Sequence, residues 1–371
     1  MHNFFVKISR LRRILMDSYT ILAVNPGSTS TKIAVFRDGE EVFTDTQRYD
    51  TSVIQQFHGI MDQEDFRYEE ILKVLRDHGI SLEDLDCVVG RVGLLKPIPG
   101  GTYAVGEPML KDLRSCRYGA HASNLGAPLA LRLGKGKPAF IVDPVVVDEM
   151  VSQARLSGHP EIPRISIFHA LNQKAVGHRA ARDLGITYEE AHLVIAHMGG
   201  GISVGAHCKG RVVDVNNALD GDGPFSPERA GALPSGELAK LCFSGTYTYE
   251  QLRKKLVGQG GMVAHLGTND LREAEKRIAQ GDARAELVVD AMAYQVAKEM
   301  GSRAVALEGK MDALVLTGGL AYSEHFVQRI RRRIEWMGSV LVYPGEDEMR
   351  ALAEGGLRVL RGEEQPQSYQ G

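Results

Sequence analysis

The sequence is poor in the features that stabilise small secreted domains or anchor a chain in a membrane. Its 371 residues include only four cysteines, which are far apart and form no CxxC pair: Cys87, Cys116, Cys208 and Cys242. We therefore predict neither a zinc site nor a disulfide framework, and a reducing cytoplasm is the expected location. No apolar run approaches the roughly 20 residues that a transmembrane helix needs, so no membrane span is predicted.

An excess of charge of one sign is missing as well. The chain has 44 basic and 47 acidic side chains, which gives a net charge of -3. Binding to nucleic acid or to an anionic membrane usually needs a broad basic surface, so small molecules are the expected partners. What the sequence does have is length and apolar content. A chain of 371 residues that is 43% hydrophobic predicts a globular protein of two domains.

Neither end of the sequence matches a targeting signal or a structured element. The first residues, MHNFFVKISRLRRILMDS, carry four basic side chains and only broken apolar stretches, which does not fit a signal peptide. We interpret residues 1–16 as an extension, with Met16 as an alternative start. Residues 362–371 are polar and without periodicity, which predicts a frayed, flexible tail.

The most informative feature is an internal repeat. The segment ILAVNPGSTSTKIAVFRDGEEVF near the start is similar to HLVIAHMGGGISVGAHCKGRVVD in the middle. In each copy an apolar strand runs into a turn of small residues, a second apolar strand leaves it, and a glycine turn leads to a third strand. Two similar domains, each beginning with a β-hairpin, are predicted.

Between the hairpins, helical patterns alternate with short Val/Ile-rich strands such as residues 87–89 and 140–142. Alternation of this kind is typical of an α/β fold in which helices flank mixed sheets. In the second half, one long helical pattern predicts a face that packs in the core, formed by Leu287, Val288, Ala291, Met292, Val296 and Met300.

Three turns are candidates for phosphate binding, because glycine lets the backbone approach an anion closely and exposed N–H groups bind it. None has the GxxxxGK[ST] spacing of a P-loop. Each alone is also what a tight hairpin or a strand-to-helix turn requires, but the three together favour a nucleotide cleft between the two domains. Their residues are Asn25, Gly27, Ser28, Thr29, Ser30 and Lys32 in the first turn, His197, Gly199, Gly200 and Gly201 in the second, and Gly318 and Gly319 in the third.

Eight motifs, two of which contain the first and second turns, carry a family resemblance: VNPGSTSTK, GRVGLLKPIPGGTY, HASNLGAPLA, VDPVV, IFHALNQKA, AHMGGGISVGAH, SPERAGALP and YPGEDEMRALAEG. They resemble the superfamily of acetate and sugar kinases, heat-shock chaperones and actin, and within it the acetokinase family with its butyrate kinases, over residues 21–356. The resemblance implies two ribonuclease-H-like domains. The first comprises residues 17–147 with a returning C-terminal helix at 346–361, and the second, residues 148–345, holds the nucleotide.

The resemblance implies that ATP phosphorylates a short-chain fatty acid, with butyrate and ATP giving butanoyl phosphate and ADP. It also implies Mg²⁺ as a cofactor and a homo-oligomer, a dimer or larger, as the assembly. A branched acid such as isobutyrate is the nearest alternative substrate, followed by acetate and propionate. An alternative of another class is a nucleotide-switch module like actin or the chaperones, which has no need of residues aimed at an acceptor acid.

Roles for individual residues also follow from the resemblance. Arg91 and Arg229 match the arginines that meet the acceptor carboxylate and the migrating phosphoryl group, and a guanidinium fork suits both. His169 matches a histidine that donates a hydrogen bond to the transition state, and Phe168 precedes it beside the acceptor. Asp143 matches an aspartate near the metal and acceptor. Without the resemblance, the arginines would be interpreted as surface or salt-bridged side chains and Asp143 as a turn residue.

Asn25 and an acidic pair, Asp347 and Glu348, are the candidate Mg²⁺ ligands. The family has a glutamate in this motif, whereas alignment on the preceding proline places Asp347 in its column, so both carboxylates stay open. An acidic helix N-terminus, stabilised by the helix dipole, is the competing interpretation. Gly93 and Ala120 occupy positions where acetate kinases usually carry bulkier side chains, which implies a pocket for a longer acid. His121 is a further histidine near the implied site and ranks below His169.

Overall fold

The computed structural model describes residues 18–371. These residues form two compact units. The first unit contains the described residues up to Val146 together with Asp347–Gly371, and the second unit is Val147–Glu346. The predicted extension at 1–16, with Met16, lies outside the described residues.

Strands and helices are interspersed along residues 18–371. The strands are β1 Thr20–Pro26, β2 Ser30–Arg37, β3 Glu40–Arg48, β4 Cys87–Gly90, β5 Thr102–Ala104, β6 Ala139–Val142, β7 His192–Met198, β8 Ile202–Cys208, β9 Arg211–Val215, β10 Ala313–Gly318, β11 Val340–Pro344 and β12 Gln367–Ser368. The helices are α1 Thr51–Ile54, α2 Glu64–Asp77, α3 Glu107–Arg114, α4 Gly126–Gly134, α5 Ser152–Arg155, α6 Ala170–Asp183, α7 Ser235–Cys242, α8 Tyr249–Leu256, α9 Gly261–Leu266, α10 Leu271–Ala279, α11 Ala283–Ala306, α12 Glu324–Ile334 and α13 Glu348–Leu360.

The first unit is built around a seven-stranded mixed sheet with the order β12-β5-β6-β4-β1-β2-β3. β1, β2 and β3 are antiparallel neighbours, whereas β4 and β6 extend the sheet parallel to β1. Residues 21–24 of β1 are at most 1% exposed because the strand is central and helices cover it. The register of β1 with β2 places Asn25 opposite Lys32, beside the first turn.

The second unit repeats this topology. Its five-stranded sheet has the order β11-β10-β7-β8-β9, in which β7, β8 and β9 are antiparallel neighbours and β10 and β11 are parallel to β7. This is the arrangement of β6-β4-β1-β2-β3 in the first unit. The internal repeat in the sequence is therefore a repeat of sheet topology, and the predicted two-domain α/β fold with mixed sheets is confirmed.

Helix α11 carries the predicted apolar face of the second unit. Val288, Met292, Val296 and Met300 are at most 4% exposed and pack in its main core. Leu287 is an exception to the prediction, since its side chain is 60% exposed. Leu287 lies one residue before Val288, which turns it to the edge of the buried stripe.

A glycine-to-glycine contact fixes helix α4 on strand β4. A side chain at Gly90 would place its Cβ 2.1 Å from the carbonyl oxygen of Gly126, and a Cβ at Gly126 would lie 2.0 Å from the carbonyl oxygen of Arg91. No side chain fits at either position, because the two backbones touch. The contact fixes the end of β4 and therefore the position of Arg91, the next residue along the chain.

The C-terminal residues also belong to the first unit. Helix α13 packs on its sheet, and Gly356 allows the helix to approach β4, where Cys87 and Val89 lie beneath it. The last residues differ from the frayed tail that the sequence predicts. Gln367–Ser368 pairs with strand β5. Tyr369 is only 5% exposed, and its hydroxyl donates to Asp112 Oδ2 at 2.8 Å.

Within residues 18–371, no helix has both the length and the apolar character needed to cross a bilayer.

Substitution of Gly126 by alanine should destabilise the first unit by about 2–3 kcal/mol or more, because the added methyl group must push α4 away from β4. The measurement is the urea midpoint of unfolding. Gly134→Ala in the same helix is the matched control, since nothing lies within 4 Å of its Cβ, and its free energy of unfolding should change by less than about 1 kcal/mol. Equal effects of the two substitutions would contradict this account.

Candidate functional site

The turn between β1 and β2 is shaped from behind by a buried arginine. Gly27 N–H donates to Ser30 O at 2.8 Å, which closes the turn. Arg67, which is 0% exposed, donates to Ser30 O at 2.7 Å, to Ser28 O at 3.2 Å and to Thr31 Oγ1 at 3.0 Å. Because the carbonyl groups point back to the guanidinium, the front of the turn is left to N–H and hydroxyl donors, as an anion site requires.

The charge of Arg67 has no carboxylate partner among the described residues. Its remaining partner is the amide oxygen Oε1 of Gln63, at 2.8 and 3.1 Å, and its guanidinium lies 5.2 Å from the ring centre of Tyr49. Burial lowers the pKa of Arg67 from its ordinary value, yet a guanidinium stays protonated at neutral pH. The sequence analysis missed this residue. A buried positive charge behind the turn favours a bound anion in front of it.

A second group in the first unit joins residues that are far apart in the chain. Arg91 donates from Nε at 3.1 Å and pairs through Nη2 at 2.9 Å with Glu348 Oε1, and Asn25 Nδ2 donates to Glu348 Oε2 at 2.9 Å. The Arg91 and Glu348 side chains are 32% and 26% exposed, so both are partly open to a ligand. The structure thus brings together a predicted acceptor-binding arginine and two of the predicted metal ligands.

The two neighbouring acids of this segment have different surroundings. Asp347 caps helix α13, since its Oδ1 accepts Arg350 N–H at 3.2 Å and its Oδ2 pairs with Arg350 Nε at 3.0 Å. Glu348 instead contacts Asn25 and Arg91. Two side chains with oxygen donors, Asn25 and Glu348, fit Mg²⁺, which usually keeps several waters and takes one or two protein ligands. Within residues 18–371 no cluster of three or more metal-binding His, Cys, Asp or Glu side chains occurs.

Asp143 follows β6 in a left-handed conformation, with φ of 39°. Its Oδ1 accepts Gly101 N–H at 2.7 Å, and its own N–H donates to Gly101 O at 3.1 Å. The carboxylate is 5% exposed. Asp143 is therefore held in place by the backbone, as an orienting residue would be.

The surroundings of Gly93 and Ala120 differ from each other. A Cβ at Gly93 would lie 2.3 Å from Ser123 Oγ, so Ser123 fills the space that a side chain would take. Ala120 is exposed. Next to it, His121 Nδ1 accepts Ser123 N–H at 3.2 Å, which leaves the proton of the neutral ring on Nε2. Burial, and then the charge of Arg91, lowers the pKa of His121.

In the second unit, the turn between β7 and β8 also lies against an arginine. A Cβ at Gly201 would lie 1.9 Å from Arg229 Nη1, so a side chain there would have to displace the guanidinium. Arg229 Nη1 also donates to Ala218 O, and Ser226 Oγ donates to Gly200 O at 2.6 Å. Burial lowers the pKa of Arg229, although the group stays charged. The structure brings the predicted Arg229 to the predicted second turn.

Two predicted histidines of the second unit are stacked. The rings of His169 and His197 are 3.8 Å apart and 13° from parallel. His197 Nδ1 faces Asn172 Oδ1 at 2.8 Å, and its Nε2 lies 3.0 Å from Glu346 Oε1, a contact that is attractive when the imidazole carries both protons. Phe168, in contrast, is 1% exposed and packs in a small apolar core with neighbours such as Val147.

A cavity of about 780 Å³ opens beside the second and third turns. Its walls include the predicted Gly199, Gly200 and Gly319, and also Asn269 and Glu275, which the sequence analysis missed. Nothing in the spacing of these polar residues marks them in the sequence. Small-molecule sites commonly have volumes of about 300–1,000 Å³, so the cavity can hold a nucleotide.

Residues 162–353 match the model of the acetokinase family. The chain belongs to the acetokinase family. As a member of this family it is a kinase of the carboxylate-kinase class that uses ATP. The match covers all of the second-unit residues named above from His169 onward, and it reaches Glu348 in helix α13.

Solved structures with the same fold include enzymes of this family. The acetate kinase of Porphyromonas gingivalis has a TM-score of 0.76 at 21% identity, over 92% of this chain and 100% of that one. A propionate kinase from Francisella tularensis has a TM-score of 0.73 at 19% identity, over 91% and 98%. The acetate kinase of Entamoeba histolytica has a TM-score of 0.71 at 16% identity, over 91% and 99%. These likenesses establish the fold.

Substitution of Arg67 by methionine should destabilise the first unit by about 3 kcal/mol or more, because several buried oxygen atoms lose their donor. Urea unfolding measures the change. Arg132→Met is the matched control: Arg132 forms a surface pair with Asp65, which is 88% exposed, and its loss should cost less than about 1 kcal/mol. A loss for Arg67→Met no larger than the control would show that the buried charge does not support the turn.

Proposed function

We propose that this acetokinase-family enzyme transfers the γ-phosphoryl group of ATP to the carboxylate of a short-chain fatty acid, with butyrate as the first candidate. A carboxylate oxygen attacks the γ-phosphorus, the bond from that phosphorus to the β–γ bridging oxygen breaks, and butanoyl phosphate and ADP form. The observation that carries the proposal is the group of Asn25, Arg91 and Glu348, in which a partly exposed guanidinium is held beside oxygen ligands suited to Mg²⁺.

The chemistry needs no general base. Carboxylic acids have pKa values near 4, so the acceptor is already ionised at neutral pH. The difficulty is that two anions must approach in line, so the enzyme must position them and neutralise their charge. We assign this work to Arg91 and Arg229, with His169 donating a hydrogen bond to the migrating group. Asp143 has an orienting role, consistent with its bonds to Gly101.

Mg²⁺ is the proposed cofactor, held by Asn25 and Glu348. When bound, the ion supplies positive charge to the phosphate oxygens. Asp347 is less suited, because it caps the helix and pairs with Arg350, whereas Glu348 is the acid that contacts Asn25, the other proposed ligand. The contact with Asn25 therefore supports Glu348 as the proposed ligand of the two acids that the sequence left open.

The nucleotide is proposed to occupy the cavity of the second unit. Its volume and the glycines in its wall, Gly199, Gly200 and Gly319, support this placement. The remaining predicted turn residues are proposed to bind phosphate, Gly27, Ser28, Thr29, Ser30 and Lys32 in the first unit and His197, Gly201 and Gly318 in the second. We keep as predictions that the enzyme acts in the cytoplasm and as a homo-oligomer.

The preference for a longer acid rests mainly on Ala120. Each buried methylene group contributes about 0.8 kcal/mol, so space for two more carbons would favour butyrate over acetate by roughly tenfold. Gly93 supports this less, because Ser123 fills the space beside it. Isobutyrate is the second candidate acid. Acetate and propionate follow, since two of the similar solved structures are named as an acetate kinase and a propionate kinase.

A panel of acids tests the proposal. Acyl phosphate formed from Mg-ATP is trapped with hydroxylamine for acetate, propionate, butyrate, isobutyrate and valerate. We expect the highest kcat/KM with butyrate and a loss of about 100-fold or more in Arg91→Ala, because the acceptor loses its cation. In Ala120→Leu, kcat/KM should fall about tenfold more for butyrate than for acetate.

The outcomes of this panel are separable. An optimum at acetate that Ala120→Leu does not change would refute the longer pocket while leaving the carboxylate kinase in place. ATP hydrolysis with no trapped product for any acid would instead favour the nucleotide-switch module.

The metal assignment predicts different effects for two neighbouring substitutions. Glu348→Gln should raise the Mg²⁺ concentration for half-maximal activity about tenfold or more, because a carboxylate ligand is lost. Asp347→Asn is the matched control and should leave it within about twofold, since asparagine also caps helices well. Activity is measured against Mg²⁺ at fixed ATP. An equal response of both variants would overturn the choice of Glu348.

A further inference from the structure

A continuous line of hydrogen bonds leads from His169 into the interior of the second unit. His169 Nδ1 lies 2.9 Å from Ser203 Oγ, and Ser203 Oγ lies 2.8 Å from Gln173 Nε2. Gln173 Oε1 lies 2.9 Å from His207 Nε2, and His207 Nδ1 lies 2.7 Å from the hydroxyl of Tyr188. Ser203, Gln173 and His207 are 0% exposed, so water does not compete for these bonds.

The direction of this line is set by one backbone carbonyl. Gln173 Nε2 is also 3.1 Å from Ser203 O, which can only accept a hydrogen bond. The amide of Gln173 must therefore present its NH₂ group to Ser203, with one proton for the carbonyl and one for Oγ. The opposite orientation would place two acceptor oxygens against each other in a buried site, which is costly. Oε1 of Gln173 consequently faces His207.

His207 and Tyr188 form the end of the line that lies in the interior. Because Gln173 Oε1 only accepts, the proton of His207 lies on Nε2, and Nδ1 accepts the hydroxyl proton of Tyr188. Burial holds the pKa of His207 well below its usual range, so the ring stays neutral with this single N–H. His207 thereby reinforces the amide orientation that the Ser203 carbonyl dictates.

The contacts of Ser203, at the other end of the line, determine which nitrogen of His169 carries the proton. Ser203 Oγ receives an N–H from Gln173 at 2.8 Å, and the backbone N–H of His169 points to it at 3.5 Å. These two groups are donors, so Ser203 Oγ accepts from them. The hydroxyl proton of Ser203 is therefore donated to His169 Nδ1, the acceptor that the structure describes for it. With Nδ1 as acceptor, the proton of the neutral His169 ring is on Nε2.

We propose that Gln173 and Ser203 are positioning residues that hold His169 with its proton on Nε2, so that this nitrogen donates to the migrating phosphoryl group. Helix α6 supports the arrangement, since Gln173 N–H donates to His169 O at 2.9 Å one turn away. The stacked ring of His197 opposes rotation of the His169 ring, which would place Cδ2 instead of Nδ1 beside Ser203. The identity of the acceptor rests on the proposed function, whereas the tautomer does not.

The tautomer is tested without any substrate. Long-range ¹H–¹⁵N correlation spectra of protein labelled at its 12 histidines report which ring nitrogen carries the proton, and comparison with His169→Gln assigns the signal. We expect an unprotonated Nδ1 and a protonated Nε2 for His169. A protonated Nδ1 in the neutral ring would overturn the proposal.

The substitution Gln173→Glu tests whether the amide of Gln173 sets the tautomer of His169. A carboxylate cannot donate, so the Ser203 hydroxyl should turn to it and His169 should give an Nδ1 proton to Ser203 Oγ. We expect the tautomer to invert and kcat with butyrate to fall about 100-fold, with KM for ATP within about twofold. Tyr188→Phe is the control, because it removes a buried hydrogen bond at the far end without changing the direction of the line. It should keep both the tautomer and kcat.

An unchanged tautomer in Gln173→Glu would overturn the proposal, and so would equal changes in Tyr188→Phe, which would indicate a merely structural role. If Gln173→Glu does not fold, Ser203→Ala replaces it, with loss of the single-tautomer signal expected and retention of that signal contradicting the proposal. Absence of turnover with every acid in the native enzyme would refute the proposed function alone, because the spectra decide the tautomer independently.

Discussion

An arginine packed against a hairpin turn is the interaction on which both candidate sites depend. In the first unit, Arg67 draws the carbonyl groups of Ser28 and Ser30 inward, and in the second unit Arg229 lies directly on Gly201. A hairpin turn has carbonyl and N–H groups in equal number, so it binds an anion only if the carbonyl groups are engaged elsewhere. Arg67 fulfils this condition in the first unit, and in the second unit Ser226 Oγ donates to Gly200 O, while both arginines add positive charge. The glycines of the turns matter because they let these cations and the ligand approach the backbone.

The start of helix α13 shows how two adjacent acids divide structural and chemical roles. Asp347 satisfies the free N–H of Arg350 and so begins the helix. Glu348, one position later, is turned by the helix toward Asn25 and Arg91. The cap fixes the helix end, and the helix end fixes the direction of the next side chain. A proposed metal ligand is thereby oriented by its neighbour and not by its own contacts alone.

The fold could be predicted from the sequence because the repeated hairpin motif and the strand–helix alternation are local patterns. The candidate site could be predicted in part. The glycine turns have local signatures, and Arg229 is implied by the family resemblance. Arg67, in contrast, looks like any charged residue of an amphipathic helix, and its burial depends on tertiary packing. The role of Gly93 was likewise hidden, because the space beside it is taken by Ser123, a contact between residues 30 positions apart. The prediction that Leu287 is in the core was wrong because the helical periodicity of apolar residues does not define where the buried face of a helix ends.

The discontinuity of the first unit has a consequence for synthesis on the ribosome. Arg91 and Glu348 are 257 positions apart, and the whole second unit is translated between them. Until α13 has emerged, Arg91 lacks its carboxylate partner and β1 and β4 lack the helix that covers them. While the second unit is being translated, the sheet of the first unit lacks this helix, and the group of Asn25, Arg91 and Glu348 is complete only after residue 348 has been added. Chain order itself thus delays activity until both units exist.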